Sequence, residues 1–407
     1  MPLDELRAEV DAGLRTRRFL GYYESRAWAN EAAPVVEAIR SALVEAPSAE
    51  LVALVERAVG HVVKVILHAD DSDGMIGDLA RDLLDVHAQA CDAGVADPVK
   101  LARWMVRFSF DDQDFFEADP VRYAAALGEF GLAAYRREVR KRRDAGDDSF
   151  AARYATERLA VLDGDIDEIV RLHGGGLSRP YDFIRVAEAM EELGRDDDVL
   201  HWAERGVAET SGWQVAQLYD LAAGVYSRRG ENDMLLQLRR AQHTRMPSAS
   251  SYDRLKKAAE TLGVWPDERD AARSVLTDHD LGALVDVLLA DEEPETAWRV
   301  AADNPDWDPG DRRLMRLAEA REGSHPADAL EVYLRLADRE LETANRASYG
   351  RATKTLKRAA RAATAAGRTA EFAEHLRTLR DRYRRRPTMI AMFDRAGLGC
   401  SRPSPVR

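Results

Sequence analysis

Cysteine is scarce in this chain of 407 residues, which contains only Cys91 and Cys400. Two cysteines are too few for a disulfide framework and are typical of a reducing compartment. No apolar run reaches the roughly 18 residues that a membrane-spanning helix needs. The first 18 residues mix acidic and arginine side chains and lack the apolar stretch of a signal peptide. We therefore expect a cytoplasmic protein with no membrane span.

Strand-like alternation of β-branched residues is nearly absent, whereas Ala, Arg, Leu, Asp and Glu dominate. Catalytic signatures are missing as well, including the serine nucleophile elbow, the HExxH zinc motif and a CxxC pair. The run Gly174-Gly175-Gly176 lacks the Lys-Ser/Thr of a phosphate-binding loop, so we interpret it as a turn between helices. These absences favour an all-α protein that is not an enzyme and uses no cofactor.

One sequence pattern recurs along the chain: an apolar helical segment, a glycine, a few polar residues and another apolar helical segment. A glycine after a periodic run is typical of a helix C-cap, because glycine enters the left-handed conformation without steric cost. The spacings are 30, 36, 33, 60 and 44 residues, and the long step of 60 could hide a missed unit. The glycines are Gly164, Gly194, Gly230, Gly263, Gly323 and Gly367.

This repeat predicts an α-solenoid of helical hairpins, similar to tetratricopeptide (TPR) repeats, in which each hairpin covers the apolar stripe of its neighbour. We predict an N-terminal helical bundle over residues 1–145. The hairpin array with basic C-terminal helices would follow over 146–400, and a disordered tail over 401–407.

Two short segments invite a metal interpretation. The acidic loop at residues 70–73 resembles a calcium loop, but Ala69 and Ala80 stand where the first and last carboxylate ligands belong. We favour an acidic cap for the next helix, with cation binding left open. His87 and Cys91 have the spacing of two zinc ligands, yet no second Cys/His pair lies nearby. We therefore expect no metal site and interpret His87 as a core residue.

Several sequence segments resemble a helical domain of unknown function found in bacteria. In actinobacteria this domain often follows a SWIM zinc finger. The segments are Asp70 to Leu79 with His87 and Cys91, Ala126 to Leu132, Leu281 to Pro305, His325 to Leu330, Leu341 to Tyr349, Leu356 to Arg358, and Arg384 to Leu398. The finger itself needs a Cys-x-Cys pair followed by Cys-x-His, and this chain has neither. The resemblance therefore implies a helical scaffold and nothing about zinc binding.

The concave face of a hairpin array is the first candidate site, because stacked hairpins curve and present a groove. Each aromatic residue taken alone fits ordinary inter-repeat core better than a contact surface. The candidate protein-binding residues are Tyr181, Arg185, Trp213, Tyr219 and Tyr226.

Basic residues at the C-terminal end form the second candidate site. From Arg346 to Arg407 the chain has sixteen lysine and arginine residues against four acids, about +12, so the rest of the chain carries about −25. Helical spacing places most of the candidates on one face. The candidate basic residues are Arg351, Lys354, Lys357, Arg358, Arg361, Arg384, Arg385 and Arg386.

We predict a non-catalytic protein-interaction scaffold with a protein partner bound in the groove. The alternative is a nucleic-acid-associated protein that binds phosphates through its basic helices, which sparse aromatic interleaving and an acidic overall charge disfavour. The basic face could instead meet acidic surface on the same chain or on a second copy, giving a homo-oligomer.

Overall fold

The computed structural model describes residues 2–399, so the predicted tail at 401–407 lies outside the described residues. Within that range the chain contains no β-strand, and one isolated bridge joins Leu20 to Ala69. The all-α prediction is therefore confirmed. None of the described helices is long and apolar enough to cross a membrane. The chain divides into two units, Met1–Leu221 and Ala222–Arg407.

The helices of the first unit are α1 (Leu3–Gly13), α2 (Tyr22–Glu45), α3 (Ala49–Ile66), α4 (Met75–Ala90), α5 (Pro98–Arg107), α6 (Ala124–Asp144), α7 (Phe150–Asp163), α8 (Ile166–His173), α9 (Pro180–Glu192) and α10 (Asp196–Glu209). The unit boundary falls within α11 (Val215–Arg229). The second unit continues with α12 (Asn232–Arg245), α13 (Ala249–Thr261), α14 (Trp265–His279), α15 (Leu281–Ala290), α16 (Pro294–Asp303), α17 (Gly310–Arg321), α18 (Pro326–Glu342), α19 (Arg346–Ala365), α20 (Thr369–Arg382) and α21 (Pro387–Arg395).

The N-terminal helices form a bundle around one hydrophobic core that runs from Leu6 to Ala155. Helix α3 buries apolar side chains along most of its length and contacts α1, α2 and α4. Helices α1 to α6 all contribute buried side chains to this single core, as expected of a bundle. The predicted end of the bundle at residue 145 stays a prediction.

The second unit is built from helical hairpins. Each consecutive pair from α12 to α20 packs together, and next-but-one contacts join α13 to α15, α15 to α17, and α19 to α21. Contacts within a hairpin and between adjacent hairpins are typical of a TPR-like helical repeat, because each hairpin buries its apolar stripe on the next one. Helices α7 to α10 in the first unit also pack as consecutive pairs. The predicted class, helical hairpins with an N-terminal bundle, is confirmed.

The missed repeat unit lies between Gly263 and Gly323. Glu292 adopts the left-handed conformation with φ 60°, and the N–H of Glu293 donates to Leu288 O at 2.9 Å. The same bond closes the turn at Gly263, where the Val264 N–H donates to Ala259 O at 3.0 Å. The unit was hidden from the glycine pattern because a glutamate occupies the glycine position. Of the six predicted glycines, the five other than Gly323 have positive φ.

Candidate protein-binding surfaces

Tyr181 and Arg185 are brought together on α9, one helical turn apart. Arg185 Nη1 donates to Tyr181 Oη at 3.1 Å, while its Nη2 donates to the Glu157 carboxylate at 2.7 Å and to His173 Nδ1 at 3.2 Å. Burial lowers the pKa of His173, so its neutral ring can accept that bond. Arg185 is thus engaged within its own unit, and the half-exposed ring of Tyr181 is the part open to a partner.

The structure corrects part of the predicted groove. Tyr219 and Tyr226 are only 4% and 6% exposed, so both rings belong to the core and cannot meet a partner in this conformation. Trp213, by contrast, is 82% exposed and precedes α11. Sequence could not separate these cases, because an aromatic residue on a helical stripe fits either core or surface.

Two of the five predicted basic residues on α19 are already neutralised. Arg351 pairs with Glu340 at 2.8 Å and Arg358 pairs with Glu319 at 2.9 Å. Lys354, Lys357 and Arg361 lie exposed along α19, and none has an ion-pair partner within residues 2–399. On α19, these three side chains are the part of the basic face that remains available to a phosphate or a carboxylate.

Arg386 has a structural role that the sequence analysis missed. Its Nη1 donates to Leu341 O at 2.6 Å, near the C-terminal end of α18, and its guanidinium lies 4.3 Å from the centre of the Tyr383 ring. Arg384 lies 3.9 Å from Asp381, and Arg385 is exposed. The three consecutive arginines are therefore not equivalent, and Arg386 belongs to the packing of the second unit.

A cleft of about 550 Å³, lined by apolar and charged residues, lies among α16, α17, α18 and the loop before α17. Two half-buried tryptophans, Trp298 and Trp307, line it. Pro305 between them and Pro309 after Trp307 stiffen the loop. The lining residues are Trp298, Ala301, Ala302, Pro305, Trp307, Pro309, Leu314, Leu317, Asp328, Glu331, Val332 and Arg335. Sequence reasoning missed this cleft, although two tryptophans nine residues apart with two prolines nearby were a visible signal.

Ion pairs fix one wall of the cleft. The Arg321 guanidinium lies 5.0 Å from the centre of the Trp298 ring and pairs with Asp328 at 3.0 Å. Glu331 pairs with Arg368 at 3.0 Å. With both lining carboxylates paired and the tryptophan ring held by a cation, this wall is pre-organised before anything binds.

Exposed acidic residues lie beside lining residues of the cleft in sequence. They are Asp303 at the end of α16, and Asp306 and Asp308 in the loop before α17. No ion pair joins any of them to another described residue. Three cations, Arg299, Arg312 and Arg335, are also exposed without an ion-pair partner among the described residues. The charges near the cleft are thus of both signs, and Asp303 and Asp306 are open to a cationic group of a ligand.

The two segments considered as metal sites have other contacts. Asp71 accepts hydrogen bonds from the N–H groups of Ile76 and Gly77, both at 2.9 Å, and so caps α4. His87 is fully buried, lies 2.9 Å from Tyr123 Oη through Nδ1, and has Cys91 Sγ 3.7 Å from Nε2. Burial raises the pKa of Cys91 to about 12, so its thiol stays protonated. The part of the chain that the structure describes holds no cluster of three or more His, Cys, Asp or Glu side chains suited to a metal ion.

No known family model matches the chain, and no curated protein matches it significantly in sequence. Among solved structures, one described as Naa15/Naa10 bound to HypK-THB aligns with 97% of this chain at 12% identity and a TM-score of 0.30. This chain covers 65% of that one, less than two thirds of its length. A human IFIT1 dimer with PPP-AAAA aligns with 98% of this chain and 95% of its own, at 14% identity and a TM-score of 0.26. Identities of 12% and 14% with TM-scores of 0.30 and 0.26 do not support any inference about function.

Proposed function

We propose that this protein is a non-catalytic scaffold that binds a protein partner in the cleft lined by Trp298 and Trp307. The observation that carries the proposal is the cleft itself, which combines aromatic walls with an unpaired charged rim. Binding energy at protein interfaces concentrates in such pockets, where an anchor side chain is desolvated and surrounding polar groups exclude water. We also propose a cytoplasmic location from the scarcity of cysteine.

The chemistry of the cleft defines the partner segment. An apolar side chain would fill the space between the two indole rings, since both present flat apolar surface. A neighbouring lysine or arginine would meet Asp303 and Asp306, whose charges have no partner in the described chain. The proposed ligand is therefore a short peptide segment that carries an apolar anchor beside a basic residue.

The test is a selection from a random peptide library on the full chain, followed by fluorescence anisotropy of the enriched peptides. We expect enriched sequences to combine an aliphatic, aromatic or proline residue with Arg or Lys. Trp307→Ala should weaken binding by about tenfold or more, as at an interface hot spot. Trp213→Ala is the matched control, because that tryptophan is 82% exposed and does not line the cleft.

Two results would overturn the proposal. One is a selection in which no peptide binds saturably. The other is an equal loss of affinity in Trp307→Ala and Trp213→Ala. An enriched acidic motif would keep a peptide-binding role but contradict the proposed charge preference.

Nucleic-acid binding is the second candidate, favoured by the unpaired cations Lys354, Lys357 and Arg361 on one face of α19. Replacing all three by Gln should abolish salt-sensitive binding of a single-stranded oligonucleotide, since each phosphate contact contributes to the salt slope. This variant is a sharper test than replacing Arg384 to Arg386, because loss of Arg386 would also disturb the fold. An unchanged affinity in the triple variant would exclude this face as the binding site.

We also propose that the chain is related to the helical domain that accompanies SWIM zinc fingers. This proposal rests on the sequence segments given above, and the relationship implies a helical scaffold. Co-purification of a separate SWIM-finger protein with the cleft-bearing chain, lost in Trp307→Ala, would support both ideas together.

A further inference from the structure

A cationic cavity of about 660 Å³ lies in the first unit, between the end of α1, the loop that follows it, and the last turns of α3. Three cations and two imidazoles line it: Arg15, Arg17, Lys64, His61 and His68. The only carboxylate among its lining residues belongs to Asp11. This concentration of positive charge stands out in a chain whose net charge is −13.

The negative charge of Asp11 is already compensated. Arg57 donates two hydrogen bonds to its carboxylate, each at 2.7 Å, and His61 Nε2 donates a third at 2.8 Å. These bonds hold the pKa of Asp11 well below its usual range, so the carboxylate stays ionised and paired with Arg57. It therefore does little to neutralise the other cations of the cavity.

Arg15, Arg17 and Lys64 are exposed, and none has an ion-pair partner among residues 2–399. The negative ends of α1 and α3 account for part of this arrangement, because a cation is favoured in or just beyond the last turn of a helix. That effect explains Arg15 after α1 and Lys64 in α3. It does not explain Arg17 or the two histidines on the same cavity.

We propose that this cavity binds a phosphorylated small molecule. A phosphate group presents several acceptor oxygens and up to two negative charges, which suits the guanidinium donors of Arg15 and Arg17 and the ammonium of Lys64. Leu67, which is 52% exposed, and Val65 add apolar surface for the organic part of the ligand. The site lies in the first unit and is independent of the tryptophan cleft in the second.

The test is isothermal titration calorimetry of the full chain with inorganic phosphate, pyrophosphate and adenosine diphosphate as probes. We expect saturable binding of the two diphosphates, weakened by about tenfold or more in the double variant Arg15→Gln/Arg17→Gln. The control is Arg26→Gln/Lys141→Gln, which removes the same charge from exposed positions on α2 and α6 outside the cavity lining and should leave binding unchanged. Circular dichroism verifies that both variants keep the helical fold.

Absence of saturable binding by all three probes would overturn the proposal. So would an equal loss in the control variant, which would indicate general attraction between charges and not a site. A single-stranded oligonucleotide is titrated as a fourth probe. Binding of the oligonucleotide alone, lost with Arg15 and Arg17, would replace the small-molecule ligand by nucleic acid and so contradict the inference.

Discussion

Asp291 in the second unit shows how one residue can hold a turn in place. Its carboxylate accepts hydrogen bonds from Lys256 Nζ at 2.6 Å, Arg273 Nη2 at 2.8 Å and Tyr252 Oη at 2.9 Å. Burial acts to raise the pKa of Asp291, but the three hydrogen bonds outweigh burial and lower it. The ionised carboxylate thus ties the turn after α15 to α13 and α14.

Asp291→Asn should lower the free energy of unfolding by about 2–3 kcal/mol, because it removes one charge from a largely buried ion-pair cluster and leaves its partners underpaired. Urea denaturation of the full chain measures the change. Asp253→Asn is the control, since Asp253 pairs with Lys257 on an exposed helix surface and should cost at most about 0.5 kcal/mol. An equal decrease of the unfolding free energy in the two variants would show that burial of the Asp291 cluster contributes nothing to stability.

His243 makes stability depend on pH near neutrality. Its ring is 1% exposed, lies 2.9 Å from Ala272 O through Nε2, and is 2.9 Å from Ser251 Oγ through Nδ1. A carbonyl oxygen only accepts, so Nε2 carries the proton and Nδ1 accepts from the serine. Burial lowers the pKa of His243, which means that the folded state favours the neutral ring.

Because the folded pKa lies below the unfolded value of about 6.5, this contribution is complete about one pH unit above 6.5 and is lost as the pH falls through 6.5 towards the folded pKa. We expect the unfolding free energy to decrease between about pH 7.5 and 5.5, with a shallower decrease in His243→Gln. His61 and His173, whose pKa values are also lowered by burial, account for part of the remaining slope. An unchanged slope in His243→Gln, measured by urea titration at each pH, would contradict this assignment.

At the scale of the element, the turn between paired helices was the most predictable feature. Five of the six glycines chosen from sequence occupy left-handed positions, since the period of the helical pattern and the conformational freedom of glycine both act locally. Glu292 shows the limit of such a pattern. The turn geometry recurs there without the residue that normally identifies it, because contacts made by Asp291 and Glu293 stabilise the turn.

Glu292→Gly should raise the free energy of unfolding by about 1 kcal/mol, the approximate cost of a left-handed conformation for a residue with a Cβ. Glu292 is exposed and has no ion-pair partner in the described chain, so the substitution removes little else. The reciprocal change, Gly263→Ala, should lower stability by a similar amount. Thermal and urea denaturation of both variants measure the two effects, and a destabilised Glu292→Gly would show that glutamate makes contacts not apparent in the structure.

At the scale of the whole molecule, the basic C-terminal helices are part of a core as well as a charged surface. Buried side chains from Leu314 to Leu398 form one cluster that includes Tyr333 on α18, Leu356 on α19 and Phe393 on α21. A truncation before Arg346 would expose the apolar face of α18. The basic surface therefore cannot be removed by deletion without damage to the second unit.

We expect the chain truncated before Arg346 to bind a hydrophobic dye and to aggregate, because it exposes apolar area that α19 to α21 cover. The full chain with Lys354, Lys357 and Arg361 replaced by Gln should keep its melting temperature to within a few degrees, since these side chains are exposed. Dye fluorescence measures the exposed apolar surface of the truncated chain, and differential scanning calorimetry measures the melting temperature of the triple variant. A soluble truncated chain that binds no dye would contradict the role of the shared core.

The separation of charge along the chain bears on self-association. Several acids already neutralise the basic face within the second unit, including Glu340 and Glu319. Fewer cations are therefore left for a second copy than the sequence count of about +12 suggests. A homo-oligomer held by the remaining charges should dissociate as salt is raised, and light scattering at low and high ionic strength measures this.

The sequence by itself determined the helical class and five of the hairpin turns, because periodicity and the conformational freedom of glycine are local properties. Only the tertiary structure decided which aromatic residues were core and which arginines were free. Tyr226 and Trp213 look alike in a helical pattern, yet one is 6% exposed and the other 82%. Likewise, Arg386 is satisfied by a carbonyl 45 residues away in the chain. Such pairings, and the clefts between helices, depend on contacts between distant segments, which no local pattern encodes.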